Sequence, residues 1–78
     1  MASPKELVEF VAKSLVDDPA QVHVSEIDGG TSVVLELRVG PEDMGRVIGR
    51  GGRTANAIRA LTKVLATKQG KRVTVDII

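Results

Sequence analysis

The sequence has no cysteine, tryptophan or tyrosine, and Phe10 is its single aromatic residue. Without cysteine the chain has no disulfide, no thiol nucleophile and no thiolate ligand for a metal. One histidine, His23, and no evident catalytic pair of carboxylates leave nothing to assign as nucleophile or general base. We therefore expect no enzymatic activity, no cofactor, no metal ion and no small-molecule substrate.

Two further features are missing, a signal-peptide pattern at the start and an apolar run long enough to span a membrane. These absences predict a soluble cytoplasmic protein with no membrane partner. The length of 78 residues predicts one domain over residues 1–78. A core of that size supplies roughly 3–5 kcal/mol of net stability.

The net charge of +1 conceals an asymmetry between the two halves of the chain. Residues 1–40 contain three basic and seven acidic side chains, whereas residues 41–78 contain eight basic and three acidic ones. A basic half favours a polyanionic partner through steering and counterion release. The alternative is that both signs serve solubility alone.

The start of the chain predicts a helix with a defined first turn. Ser3 suits the N-cap, Pro4 the first helical position, and Glu6 completes a capping box. An apolar stripe follows at helical spacing and is expected to end before Asp17-Asp18-Pro19. Its members are Leu7, Val8, Val11, Ala12 and Leu15. Phe10, at the edge of this stripe, is expected in the core rather than stacked on a base.

Two segments of period-two alternation then predict a β-hairpin. The first begins at Gln21 and ends at the turn sequence Asp28-Gly29-Gly30. His23 falls on its polar side, and we expect this residue to be exposed. One face of the second segment is expected to be buried. That face carries Val33, Leu35, Leu37 and Val39.

The second half of the chain predicts a short helix over 42–48, a longer one over 53–67 and a final strand. The longer helix is expected to bury Ala57, Ile58, Leu61, Val64 and Leu65, with Arg59 and Lys63 on its other side. Gly70 suits its C-cap, and the last strand alternates Val73, Val75 and Ile77 inward. The order α-β-β-α-α-β predicts an α+β fold with helices on one face of a three-stranded mixed sheet. A long connection through two helices makes the second and last strands parallel.

A glycine-rich turn interrupts the helical region at Val47–Ala55, where the sequence is VIGRGGRTA. Glycine adopts backbone angles closed to other residues and lets a ligand approach the main chain. The helix that follows presents free amides and a positive dipole end, to which Arg50 and Arg53 add full charges. This combination favours a phosphate-binding turn. A tight turn with solvated arginines is the alternative.

Other glycine motifs are excluded by spacing. A Walker loop needs Gly-Lys-Ser/Thr at its end, and no lysine follows Gly52. The dinucleotide fingerprint needs a glycine where Thr54 stands.

The run Val47-Ile48-Gly49-Arg50-Gly51-Gly52, between two helices, resembles the KH family of RNA-binding domains. There a Gly-x-x-Gly loop clamps about four nucleotides. With an α-β unit before the core and no helix after the last strand, the chain looks like the type II arrangement over essentially its whole length. It is similar in particular to small bacterial single-KH proteins of the KhpA (YlqC) kind.

The resemblance implies that Gly49, Arg50, Gly51 and Gly52 hold the sugar-phosphate backbone, with Arg50 as the charged contact. Ile48, Arg53 and Thr54 would line a groove for unstacked bases, and the second strand would form its other wall. Further candidates for RNA contact are Arg46, Val47, Ala55 and Arg59. Ala55 departs from the family pattern, in which a larger aliphatic residue is common.

The resemblance implies an RNA chaperone or adaptor that binds single-stranded RNA with little sequence specificity. Its implied partners are a second copy of the chain or a larger RNA-binding protein of the KhpB type. The rival interpretation is a protein interaction or dimerisation module that never contacts RNA.

Overall fold

The computed structural model describes residues 3–78 and has the predicted order α-β-β-α-α-β. Short 3-10 turns precede the first strand (Pro19–Gln21) and flank the second helix (Pro41–Asp43 and Arg50–Gly52). The main elements are α1 (Pro4–Leu15), β1 (His23–Asp28), β2 (Ser32–Arg38), α2 (Met44–Ile48), α3 (Arg53–Lys68) and β3 (Arg72–Ile77).

The first turn of α1 contains the predicted capping box. The Ser3 hydroxyl accepts a hydrogen bond from the Glu6 amide at 3.1 Å, and a Glu6 carboxylate oxygen accepts one from the Ser3 amide at 3.3 Å. Pro4 occupies the first helical position, where a missing N–H has no consequence. Local sequence alone therefore defines where this helix begins.

The three strands form a mixed sheet in the order β1-β2-β3. β1 and β2 are an antiparallel hairpin, whose turn is closed by a hydrogen bond from the Gly29 amide to the Ser32 carbonyl at 2.8 Å. β2 and β3 are parallel, with Leu35 opposite Val75. Both pairings were predicted, since a short turn permits only an antiparallel hairpin and two helices make a crossover.

The helices cover one face of the sheet, and the core lies between the helices and that face. β2 contributes most to this core because it is the central strand, and its predicted inward face is buried along its whole length. The largest fully buried side chains are Leu35, Leu37, Val8, Val47 and Thr62. Burial of one leucine or valine contributes about 1.5–3 kcal/mol. His23 is exposed, as predicted.

The prediction for Phe10 was wrong, because its side chain is 71% exposed. α1 turns Val8 and Ala12 toward the core, and both are fully buried. Phe10 lies two residues from each of them, which at 3.6 residues per turn places it on the opposite side of the helix.

The predicted inward face of α3 was also wrong in part. Leu61 and Val64 are 55% and 58% exposed, and Ala57 is exposed as well. Ile58 is buried as predicted, but its buried neighbours along the helix are Ala55, Thr62 and Ala66. Small side chains let α3 lie close to the sheet. The Thr62 hydroxyl donates to the Ile58 carbonyl at 2.6 Å, so its burial leaves no unmet hydrogen bond.

A buried carboxylate joins the end of α1 to the start of α2. The two oxygens of Asp43 accept hydrogen bonds from the backbone amides of Asp17 at 3.1 Å and Asp18 at 3.2 Å. Arg46 places its Nε 3.5 Å from Asp43 Oδ1. The carboxylate thereby holds α2, and with it the glycine turn, against the rest of the fold.

Candidate nucleic-acid interface

The glycine turn uses backbone angles that strongly favour glycine. Gly49, Gly51 and Gly52 have φ values of +76°, +64° and +79°. The Gly49 amide donates to the Gly45 carbonyl at 2.9 Å, and the Gly52 amide donates to the Gly49 carbonyl at 3.1 Å. These bonds end α2 and start α3 within four residues, so the turn has one defined shape.

The glycines of the turn meet different surroundings. A Cβ on Gly49 would collide with the side chain of Thr54, so this glycine is required by packing as well as by its φ. A Cβ on Gly51 would meet nothing within 4 Å. The main chain at Gly51 is therefore open to close approach by a ligand, and Thr54 fixes the turn from behind.

The N-terminus of α3 is uncapped by any side chain, since its N-cap residue is Gly52. The first amides of this 16-residue helix lie at the positive end of its dipole, where an anion is stabilised. Arg50 and Arg53 are exposed on either side of Gly52. Within residues 3–78 neither arginine has an ion-pair partner. Both are free to bind a phosphate.

Of the three aliphatic residues predicted around the glycine turn, one is exposed and two are buried. Ile48 is 39% exposed and adjoins the turn, so it can contact a base. Val47 and Ala55 are 0% and 3% exposed and support the turn from the core. Because Ala55 lies in the core, its small size allows close packing of α3 and does not deepen a surface groove.

Two further candidate arginines are engaged within the fold. The Nη2 of Arg46 lies 2.9 Å from Asp17 Oδ2, and this arginine also approaches Asp43. Arg59 Nε donates to the Val75 carbonyl at 3.2 Å. Arg46 is directed to the end of α1, whereas Arg59 joins α3 to β3. The strand next to this side of α3 is therefore β3.

The exposed surface of α3 has two sides of opposite character. At helical spacing its polar flank continues from the turn toward the C-terminus of the helix. Its apolar flank lies on the other side of the buried stripe. The polar flank follows the N-cap Gly52 and consists of Asn56, Arg59, Lys63 and Thr67, and the apolar flank consists of Ala57, Leu61 and Val64.

Asn56 was not among the residues predicted from sequence. It lies one turn beyond Gly52, and its Nδ2 is 3.9 Å from the position that a Cβ on Gly52 would occupy. Its exposed amide can donate and accept hydrogen bonds beside the turn. The spacing of four residues from Gly52 is the signal that would have identified it.

Other kinds of site find little support in the described residues. Across residues 3–78, no group of three or more histidine, cysteine, aspartate or glutamate side chains is arranged to hold a metal ion. Over the same range, none of the helices combines the length and the apolar character needed to cross a membrane.

A Gly-x-x-Gly turn between two helices, set on a three-stranded mixed sheet with this strand order, defines a KH domain of type II arrangement. The family model described as KhpA/KhpB, KH domain, matches residues 5–77. The chain belongs to this family.

Relatives named RNA-binding protein KhpA match nearly the whole chain. The RNA-binding protein KhpA of Clostridium perfringens is 60% identical over 74 residues, which are 95% of this chain and 99% of that protein. The RNA-binding protein KhpA of Aquifex aeolicus is 46% identical over 78 residues, which are 100% of this chain and 99% of that protein.

Among solved structures, a crystal structure of Era from Aquifex aeolicus is similar, with a TM-score of 0.64 and 20% sequence identity. The match covers 95% of this chain and 29% of the Era chain. A structure of Era in complex with MgGDPNP and nucleotides of 16S ribosomal RNA matches with the same TM-score. At this level of identity the similarity concerns the fold.

Proposed function

We propose that this protein binds single-stranded RNA through the glycine turn and acts as an RNA chaperone or adaptor. The observation that carries the proposal is the uncapped N-terminus of α3, beside two arginines that have no ion-pair partner within residues 3–78. Relatives at 46% and 60% identity are named RNA-binding proteins, which supports the same conclusion.

Each residue of the turn has a distinct task in this proposal. The backbone at Gly51 and Gly52 lies against a phosphate, and Arg50 and Arg53 neutralise its charge. Ile48 contacts the face of an unstacked base. Because phosphate contacts carry no sequence information, we expect weak sequence preference. Affinity should fall with salt by a slope of about −0.7 per phosphate neutralised.

The domain lacks an aromatic side chain beside the turn. Stacking of a base on an aromatic ring contributes about 1–3 kcal/mol in other single-strand binders, and Phe10 lies on α1, outside the glycine turn. Affinity of a single domain should therefore be weak. Joining two domains would raise it without any new contact to RNA.

A second copy of this chain is the partner we propose, docked on the apolar flank of α3. Leu61 and Val64 are more than half exposed although both are large and apolar. Such side chains, when they are neighbours on one helix face, are typical of an interaction surface. The apolar flank is separate from the polar flank of α3, so two copies could pair while the glycine turn of each copy binds RNA. A KhpB-type protein is the alternative occupant.

Binding of fluorescent single-stranded RNA tests the proposed function. The test variant is Arg50→Asp/Gly51→Asp, and the matched control is Lys5→Asp/Ser14→Asp on α1, which changes the net charge equally. Circular dichroism first establishes that both variants fold. We expect salt-sensitive binding by the wild type and the control, and loss of at least ~30-fold in affinity for the test variant, since the change removes charge-assisted contacts.

If the folded test variant binds as tightly as the wild type, the turn is not the RNA site. If the wild type binds no RNA at low salt, the rival interpretation of a protein interaction module is favoured instead.

A further inference from the structure

We infer that the protein has a second anion anchor at the far end of α3, which extends the bound RNA beyond the four nucleotides held at the turn. The inference rests on the proposed function. The anchor is a cavity of about 380 Å³ at the end of the polar flank. Its lining residues are Lys63, Thr67, Lys71, Arg72 and Val73. We call Lys63, Lys71 and Arg72 the distal basic cluster.

The charges of the distal basic cluster are not used within the described fold. All three side chains are exposed. The ion pairs within residues 3–78 involve Lys13 and Arg46, and none includes a member of the cluster. Among the described residues, no carboxylate lines the cavity. Three cations around one concavity, without a neutralising acid, favour a phosphate there.

The backbone that carries the cluster is held in a defined shape. α3 ends in a Schellman motif, in which the Gly70 amide donates to the Thr67 carbonyl at 3.1 Å and the Lys71 amide donates to the Ala66 carbonyl at 2.9 Å. Gly70 has a φ of +71°, which reverses the chain. The Arg72 amide then donates to the Thr31 carbonyl at 2.8 Å, which starts β3. The reversal places Lys71 and Arg72 beside Lys63.

The polar flank connects this cavity to the glycine turn. Lys63 follows Gly52 by eleven residues, so the two are about 16 Å apart along the helix at 1.5 Å per residue. A stacked strand rises about 3.4 Å per nucleotide and an unstacked strand spans more, so at most about five nucleotides cover this distance. Arg59, fixed to the Val75 carbonyl, lies between them. A strand that continues beyond the four nucleotides held at the turn by up to about five more can therefore reach the cluster, whereas a strand of four nucleotides cannot occupy both sites.

A second cavity, at the end of α1, explains why the strand should run in this direction. That cavity, of about 410 Å³, is bordered by Asp17, Asp18, Glu42 and Asp43 together with Arg46. Its carboxylates outnumber its single cation, and they would repel a phosphate. The strand is therefore directed along α3 and away from the end of α1.

Oligouridylates of four and ten nucleotides test the second anchor, with affinity measured by fluorescence anisotropy over a series of salt concentrations. The test variant is Lys63→Gln/Lys71→Gln/Arg72→Gln. The matched control is Lys5→Gln/Lys13→Gln/Lys68→Gln, which removes the same charge from α1 and from a position of α3 outside the cavity. We expect the test variant to bind the ten-nucleotide strand about tenfold more weakly, with a salt slope smaller by about 2. The four-nucleotide strand should bind equally to all three proteins.

Two results would overturn the anchor while leaving the proposed function intact. One is equal binding of the ten-nucleotide strand by the test variant and the wild type. The other is an equal loss for both strand lengths or for the matched control, which would indicate a general effect of charge. Failure of the wild type to bind either strand would instead refute the proposed function, and the anchor with it.

Discussion

The two flanks of α3 differ in composition although they belong to one helix. The polar flank begins at the glycine turn and carries Arg59 and Lys63, whereas the apolar flank exposes Leu61 and Val64. Between them, the buried stripe is made largely of small residues such as Ala55 and Ala66. The comparison shows that large apolar residues of a helix, here Leu61 and Val64, need not all face its own core.

This division lets a 78-residue chain present two surfaces on one rigid element. The proposals assign RNA to the polar flank and a second copy to the apolar flank. The first three changes below alter one of the two flanks, and the fourth, in α2, alters neither.

The largest effect is expected from Leu61→Glu/Val64→Glu. Two carboxylates in an apolar contact would have to be desolvated, so self-association should weaken by ~100-fold, which is about 2.7 kcal/mol. Analytical ultracentrifugation measures the dissociation constant. Thr67→Glu on the polar flank is the control and should associate like the wild type. The assignment fails if the double variant still pairs, or if the wild type is monomeric at high concentration.

A somewhat smaller effect is expected from Gly49→Ala, which changes the turn at the head of the polar flank. The new methyl group collides with Thr54, and alanine would have to keep the positive φ of this position. The free energy of unfolding should therefore fall by about 2 kcal/mol. Urea denaturation measures the change. Gly51→Ala should lose only about 1 kcal/mol, because its Cβ would meet nothing within 4 Å and only the cost of a left-handed backbone remains. Equal losses at the two positions would contradict the packing role of Thr54.

Arg59→Gln should have a more modest effect, because it removes the hydrogen bond that joins α3 to the Val75 carbonyl. We expect a loss of about 0.5–1.5 kcal/mol in the free energy of unfolding. Arg59→Lys keeps the charge but not the planar guanidinium, so comparison of the two variants in denaturation separates geometry from charge. A neutral outcome for both would mean that this bond does not stabilise the edge of the polar flank.

The smallest effect, and one of opposite sign, is expected from Gly45→Ala in α2, which belongs to neither flank. This glycine has no positive φ, and a Cβ there meets nothing within 4 Å. Alanine should stabilise the helix by about 0.5–1 kcal/mol. Thermal denaturation should show a higher midpoint, with self-association and RNA affinity unchanged. A lower midpoint would mean that Gly45 has a role that its surroundings do not reveal.

The parts of the fold that could be predicted from sequence depend on local chemistry. The capping box at Ser3, the hairpin turn after Asp28 and the buried face of β2 each follow from a few adjacent residues. The glycine turn was predicted as a candidate site for the same reason, since its unusual residues are consecutive.

The parts that could not be predicted depend on contacts between distant segments. α3 has two apolar stripes, and periodicity cannot decide which of them faces the sheet. The hydrogen bonds from Asp17 and Asp18 to Asp43 span more than 20 residues and have no local signature. The distal basic cluster likewise forms only after the chain reverses at Gly70 and brings Lys71 and Arg72 back to Lys63.

The most direct test of the account is an amide chemical-shift map of the wild-type protein titrated with single-stranded RNA. We predict that the largest changes fall on residues 49–54 and then on Asn56 and Arg59 along the polar flank, while Ala57, Leu61 and Val64 change little. Largest changes on the apolar flank, or none at the glycine turn while RNA binds, would contradict the assignment of RNA to the polar side of α3.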